Sequence, residues 1–412
     1  MFNIKHKFSF SSKELLVLVL LYLFLSLSVA FNLHDYSNQQ FVHLAQSLMA
    51  GRIYFTTCPD SSCMDFSFYH NRYYWPLGPV PAFIVMPFVY LFSLSKLVFL
   101  QNYLSIFVVS GILLLIIKIS RKIKYSREDS YYWAFAFCFA SMFLAIAFVP
   151  WSWWFSQSVT VFLLFLLIYL YLNDAPFWSL GLITAFLLNT RLTAGFGAAA
   201  FIFLLSFVSE KSVRQKARLL SQGFIPVVLG LLLMFSYNFV RFGNFLESGY
   251  SYQEVSKESL STARSYGLFS LAHIPGNLYY ALLSTPLPVF RDNVSHVLKF
   301  PFIKNNNWGI SIFITSPYLL YLFLLKYRER FSLISLATVF ITAFLVFLYY
   351  GIGASQLGYR YGLDFLPFLF LLLMKNYKEQ KGNLSGSFKA IIIMSAFFNL
   401  YLFWTMGLWP EY

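Results

Sequence analysis

A succession of apolar blocks, each near or above the roughly 20 residues a helix needs to cross the hydrocarbon layer, limits this chain to one architectural class. Backbone polar groups that face lipid find no water, so they must be satisfied within helices. Composition agrees where it bears on this point. Of the 412 residues 59% are hydrophobic and 11% charged, whereas a soluble domain has about 25% charged residues. The expected fold is all-α and polytopic, with residues 1–412 forming a single integral membrane domain.

Charge placement sets the orientation. The formal net charge is +14, but most Lys and Arg fall in short clusters between apolar blocks. Basic residues in such loops mark the cytoplasmic side, so the charge reads as topology and not as a nucleic-acid surface. Lys5, Lys7 and Lys13 precede the first block, Leu15–Phe31. That block lacks a small-residue cleavage site and is expected to be a retained span with a cytoplasmic N-terminus.

The following polar stretch, Asn32–Pro81, then lies on the outer side. Within Asn38–Met49 the residues Phe41, Leu44, Ala45 and Leu48 recur at helical spacing, opposite Gln39, His43, Gln46 and Ser47. This pattern predicts a helix in the interface plane, ended by Gly51. The next stretch, Leu77–Ser95, carries Pro79, Pro81 and Pro87. If it and Val98–Ile119 both crossed, the cluster Lys118, Arg121, Lys122, Lys124 and Arg127 would lie outside. Leu77–Ser95 is therefore expected to be a partly inserted, Pro-broken helix pair within an outer loop of about residues 32–97.

The remaining blocks alternate: Tyr132–Val149, Val159–Leu172, a short hairpin of Leu180–Leu188 and Ala194–Val208, Phe224–Val240, Ile310–Leu325, Phe331–Tyr349, Phe365–Met374 and Ala390–Met406. About 11 spans result, with a second large outer loop at about residues 241–308. No sequence repeat of the transporter kind is visible. Cys138 lies in an apolar block and reads as a packing residue. Cys58 and Cys63 can form a local disulfide if the outer side is oxidising, and no tight set of four Cys/His ligands accompanies them.

Several outer residues could carry chemistry. Asp35, just past the first span, is either a general base or an N-cap of the following helix. Asp65 could give a second carboxylate, dividing base and positioning roles or joining Asp35 around a divalent cation, or it is a solvated turn acid. Asp60 reads as a turn residue, and His34, His43 and His70 as interface residues. Arg52 and Arg72 snorkel or clamp a phosphate, and Tyr74 follows in the same NRYYWPLGP segment. Arg191, between two short blocks, and Arg360, in GYRYGLD with Tyr359, sit where ionisable groups face a cavity or a partner such as Asp364. Arg241, Glu247, Tyr250 and Tyr252 belong to RFGNFLESGYSY, either a ligand-shaping loop or part of an aromatic belt. There is no phosphate-cradling Gly-rich loop ending in Lys-Ser/Thr, no HExxH and no GxSxG elbow. Nucleotide-driven pumping and HExxH-type metalloproteolysis are disfavoured.

An Asp soon after the first span, an outer interfacial helix, a Pro-rich re-entry and a second large outer loop together resemble the GT-C superfamily of membrane glycosyltransferases. FVHLAQSLMAGRIYF, HNRYYWPLGPVPAFIVMPF, YNFVRFGNFLESGYSY and QLGYRYGLDFLPFL are similar to segments of uncharacterised bacterial proteins grouped with protein O-mannosyltransferase-like and aminoarabinose-transferase-like enzymes. The resemblance implies an inverting transfer of sugar from a polyprenyl-phosphate donor to a lipid, glycan or protein acceptor, on the outer face of a bacterial inner membrane. It places the catalytic acid at Asp35, with Asp65 as a second loop acid. It makes Arg191, Arg241 and Arg360 candidates for phosphate binding, alongside Arg72, Tyr74, Tyr250 and Tyr359 for substrate. The chain departs from the family pattern in having no Asp-Glu or Asp-Asp pair after the first span and WPLGPVP at the re-entry, which leaves acceptor type and metal need open. The rival functions are a non-catalytic transporter or flippase of lipid-linked saccharides and an O-antigen-type polymerase.

Overall fold

The computed structural model describes residues 38–59, 63, 65–149, 151–208, 212–254 and 258–407. The expected first span Leu15–Phe31, with His34 and Asp35, and Asp60 of the cysteine turn lie outside them. The described chain is mostly helical, with two small antiparallel hairpins.

Among the described residues five helices are long and apolar enough to cross a membrane: Gln101–Lys122, Ser152–Leu172, Val213–Phe242, Arg330–Leu348 and Gly386–Trp404. Val80–Leu94, Phe177–Leu188 and Leu192–Val208 are apolar but shorter. The expected 11 spans are thus not matched one for one, and the departures have local causes. Tyr132–Val149 is divided into Arg127–Phe139 and Phe143–Phe148. The Ser141 hydroxyl donates to Phe137 O and accepts from Phe143 N, taking over backbone partners at the break. Ile310–Leu325 is a four-residue α-turn, Ile312–Thr315, followed by a 3-10 segment, Pro317–Leu324. Ser316 leaves α geometry (φ −139°, ψ 63°) ahead of Pro317, which disfavours that geometry at its predecessor. Leu77–Ser95 is one helix, Val80–Leu94, with Pro87 inside it, and not a broken pair. Its 15 residues span about 22 Å, short of the roughly 30 Å hydrocarbon layer.

The interfacial pattern did produce a helix, Gln40–Met49, which buries Phe41, Leu44 and Ala45 and is followed by Gly51 at φ +71°. Its polar side is only partly open. Gln46 is exposed, but Gln39 is buried, donating to Asn102 Oδ1 (2.9 Å) and accepting from Gln101 N (2.9 Å). Gln39 occupies the N-cap position of this helix.

The 30-residue helix Val213–Phe242 reaches about 45 Å. Ser212 and Gln215 form a capping box at its start, and Gly243 takes the left-handed conformation that ends it. The core of the bundle is aromatic. Phe137 packs against Phe165 and Phe370 at 4.7 and 5.3 Å, and Trp133 meets Phe370 edge-on at 5.2 Å. At the basic end of the bundle, Lys389 bridges Glu128 (2.9 Å) and Asp129 (2.8 Å).

At the opposite end the two long polar segments are joined to each other. Cys58 and Cys63 are disulfide-bonded ahead of the first hairpin, Ser67–Tyr69 with Arg72–Tyr74. His70 and Asn71 both have positive φ, as a two-residue type I′ turn requires. Ser67 Oγ donates to Gly249 O (2.7 Å), and Asp65 N to Glu254 O (2.9 Å).

The re-entry WPLGP rests on the tip of the Phe177–Leu188/Leu192–Val208 hairpin. A Cβ on Gly78 would come within 2.0 Å of Asn189 O, so the backbones meet where a side chain has no room. Gly78→Ala is expected to lower stability by roughly 1–3 kcal/mol through overpacking, read as a lower melting temperature in detergent. An unchanged melting temperature would show that this contact gives way freely.

Candidate functional site

Where the two polar segments meet the helix ends, they enclose a mostly apolar cavity of about 460 Å³. Its walls come from Pro76–Pro79, Trp153, the tip of the 188–193 hairpin, the end of Val213–Phe242, residues 245–250, and the 346–349 and 361–364 segments. Phe196, Phe235, Phe245 and Leu246 form its apolar side, while Arg191, Arg241, Tyr250 and Asp364 supply the polar groups. A concave apolar site with a few converging polar groups is the usual form of a ligand pocket.

Arg241 is 4% exposed. One terminal nitrogen donates to Trp75 O (2.9 Å), the other to Asn238 Oδ1 (2.7 Å) and Ser248 O (3.4 Å). The guanidinium lies over the Tyr237 ring at 4.0 Å. Its Nε has no hydrogen-bond partner, and among the described residues no carboxylate pairs with it. Burying a cation this deeply is costly unless a charge or strong acceptor compensates it. The cavity is the open side on which an anion can do so.

Arg191 differs. Its Nε and a terminal nitrogen grip both oxygens of Asp364 at 2.8 and 3.2 Å, and Thr193 Oγ1 donates to the same carboxylate. The carboxylate partner anticipated for it is therefore present, and the paired group faces the cavity with its positive charge largely balanced. Arg360 is 8% exposed. It donates to Gln157 Oε1 (3.2 Å), its Nε is unpartnered, and it lies next to the cavity wall through Tyr361, without lining the cavity.

Tyr250 lines the cavity beside Tyr349, with ring centroids 6.2 Å apart. Burial and neighbouring tyrosines push the Tyr250 hydroxyl above its ordinary range, so it stays protonated and available as a donor.

Asp65 stands behind this wall at φ +69°. Trp153, which lines the cavity, donates from its indole N–H to Asp65 Oδ2 at 3.1 Å and packs on Trp75 at 4.9 Å. Burial pushes the Asp65 carboxyl up, while the Trp153 hydrogen bond and the Arg360 charge pull it down. A raised carboxyl lends stability below its unfolded pKa, and that contribution is lost as pH rises through the folded value. Asp65→Asn keeps an acceptor for Trp153, so it is expected to hold or raise the melting temperature at neutral pH and flatten its decline with rising pH. A lower neutral melting temperature would contradict this.

Other candidates fall outside the cavity. Arg72 is exposed, over the Tyr54 ring at 4.0 Å. Tyr74 is buried against Phe242 (5.0 Å), which fixes the loop. Tyr359 is a core residue whose hydroxyl donates to Asn277 Oδ1 at 2.8 Å. Glu247 accepts from Gly249 N (2.6 Å) and shapes a turn. Among the described residues no three His, Cys, Asp or Glu side chains converge. Trp153 and Thr193 were missed by the sequence reading. Trp153 sits in a PWSWWF run that looks like an interfacial belt, and Thr193 has no sequence signal.

No family model matches the chain, and no curated protein does. Among solved structures it is similar to the apo crystal structure of the Archaeoglobus fulgidus oligosaccharyltransferase, with 13% identity and a TM-score of 0.46 over 94% of this chain and 55% of that one. It is also similar to the archaeal oligosaccharyltransferase AglB from Archaeoglobus fulgidus in complex with an inhibitory peptide and a dolichol-phosphate, with 13% identity and a TM-score of 0.45 over 95% and 55%. The chain spans about half the length of the solved structures it matches.

Proposed function

We propose that this protein is an inverting membrane glycosyltransferase that moves a sugar from a polyprenyl-phosphate donor to a lipid, glycan or protein acceptor on the outer face of a bacterial inner membrane. The observation that carries the reading is Arg241, a buried cation without a described acid, on the wall of a cavity whose other side is apolar. A phosphate bearing a hydrocarbon chain matches both halves of that surface. Arg241 takes the phosphate, Arg360 adds positive potential from behind, and Phe196, Phe235 and Phe245 receive the start of the chain. Tyr250 offers a hydroxyl and a ring face to the sugar.

Asp35 is the proposed base. Three residues further on, Asn38 O is held by Ser152 N (3.2 Å), Ser152 Oγ (2.7 Å) and Gln101 Nε2 (2.9 Å), next to cavity-lining Trp153. In the reaction the acceptor's proton passes to Asp35 as its heteroatom bonds to the anomeric carbon. The carbon–oxygen bond to phosphate breaks on the opposite face, and its electrons stay on the phosphate, where Arg241 offsets the developing charge. Asp65 takes the positioning role, holding Trp153 at the cavity wall.

Purified protein in liposomes with a radiolabelled polyprenyl-phosphate sugar and mixed envelope acceptors tests the reading. Consumption of donor without net movement of lipid between leaflets is expected. Movement of intact donor without consumption would favour a transporter.

A further inference from the structure

The second hairpin, Leu287–Phe290 with Leu298–Lys304, raises a separate question. Residues 290–300 are exposed throughout, and the described chain leaves both faces largely uncovered. Those faces are apolar: Phe290, Val297, Leu298, Phe300 and Phe302 are all exposed, and Val294 at the turn is 85% exposed. A bare two-stranded hairpin is marginal in water even without such a surface. Cations are interleaved, with Arg291, Lys299 and Lys304 against a single acid, Asp292, which is engaged within its own turn by Val294 N (2.9 Å).

The base of the hairpin is fixed to the end of a helix long and apolar enough to span a membrane. Phe300 packs on Trp404 at 5.6 Å, the Tyr401 hydroxyl donates to Pro301 O, and Asn305 N donates to Thr405 Oγ1 at 2.8 Å. Trp and Tyr at a span's end mark the level of the lipid head groups. The hairpin leaves the bundle at that level.

We propose that residues 287–304 lie in the membrane interface, with their apolar side chains among the upper acyl chains and Arg291, Lys299 and Lys304 on anionic phospholipid head groups. Aromatic and apolar residues set the depth, and the three cations make it depend on lipid charge. The hairpin thereby anchors the second outer loop to the lipid surface. This anchoring does not depend on the transferase reading.

A nitroxide at Val294→Cys in the full-length protein tests it, with a label at Thr262→Cys on the exposed, polar Glu258–Ser265 helix as the aqueous reference. The native cysteines do not interfere, since Cys58 and Cys63 are bonded to each other and Cys138 is buried. In nanodiscs containing phosphatidylglycerol, the ratio of oxygen to nickel-chelate collisions at position 294 is expected to exceed that at 262 several-fold. It should drop when phosphatidylcholine alone is used, and in an Arg291→Glu/Lys299→Glu/Lys304→Glu variant. Nickel-chelate access equal to that at 262 would overturn the proposal. So would shielding from both reagents, which marks a protein partner or a second copy, and so would depth independent of lipid charge.

Discussion

An Arg241→Gln variant is expected to transfer sugar about 10²- to 10³-fold more slowly than the native chain, the usual cost of removing one preorganised group from a developing negative charge. Gln can still reach a neighbouring carbonyl, but it brings no charge to the cavity. The native guanidinium has three neutral acceptors, Trp75 O, Asn238 Oδ1 and Ser248 O, and one unpartnered N–H. The charge is therefore not consumed by the fold. Because Arg241 also ties the two polar segments together, rate alone does not separate chemistry from structure. Arg241→Lys does: it retains a cation but loses the planar fork, so it should recover part of the rate while losing as much stability as Gln. If both variants lose stability and rate in the same proportion, Arg241 is a structural clamp only.

Asp35→Asn is expected to slow transfer by about 10²- to 10⁴-fold, with donor affinity nearly unchanged. Asn is isosteric but cannot accept the acceptor's proton, so the loss belongs in kcat and not in donor binding. The segment joins the bundle through Asn38, whose carbonyl is held by Ser152 and Gln101. An Asp35→Asn enzyme that binds donor normally and turns over at the native rate would move the base elsewhere, with Asp65 next in line.

Much of the architecture was legible because its causes are local. Length and apolarity marked the five long helices, and the spacing of Phe41, Leu44 and Ala45, closed by Gly51, marked the helix Gln40–Met49. The errors came where one side chain or one ring changed the backbone. Ser141 divides a block that reads as continuous, Pro317 turns another into a 3-10 segment, and Pro87 sits inside a helix that it was expected to break.

The site was legible only in part. Arg191, Arg241 and Tyr250 all reach the cavity, since an arginine or a tyrosine-rich turn at the end of an apolar block has few other places to go. Of their roles only the pairing alternative for Arg191 was legible, with Asp364 named as its partner. Arg191 is matched by Asp364, 173 residues away, and Arg241 is left without a described acid. Tyr359 is drawn into the core by Asn277, 82 residues away. Such pairings are long-range, and no spacing rule contains them.

The most direct measurement is a cryo-EM structure of the protein in nanodiscs with an added polyprenyl monophosphate. The phosphate is expected in the 460 Å³ cavity within hydrogen-bond reach of Arg241, with the chain leaving past Phe196 and Phe245. A phosphate bound elsewhere, with this cavity closed to it, would contradict the role given to Arg241.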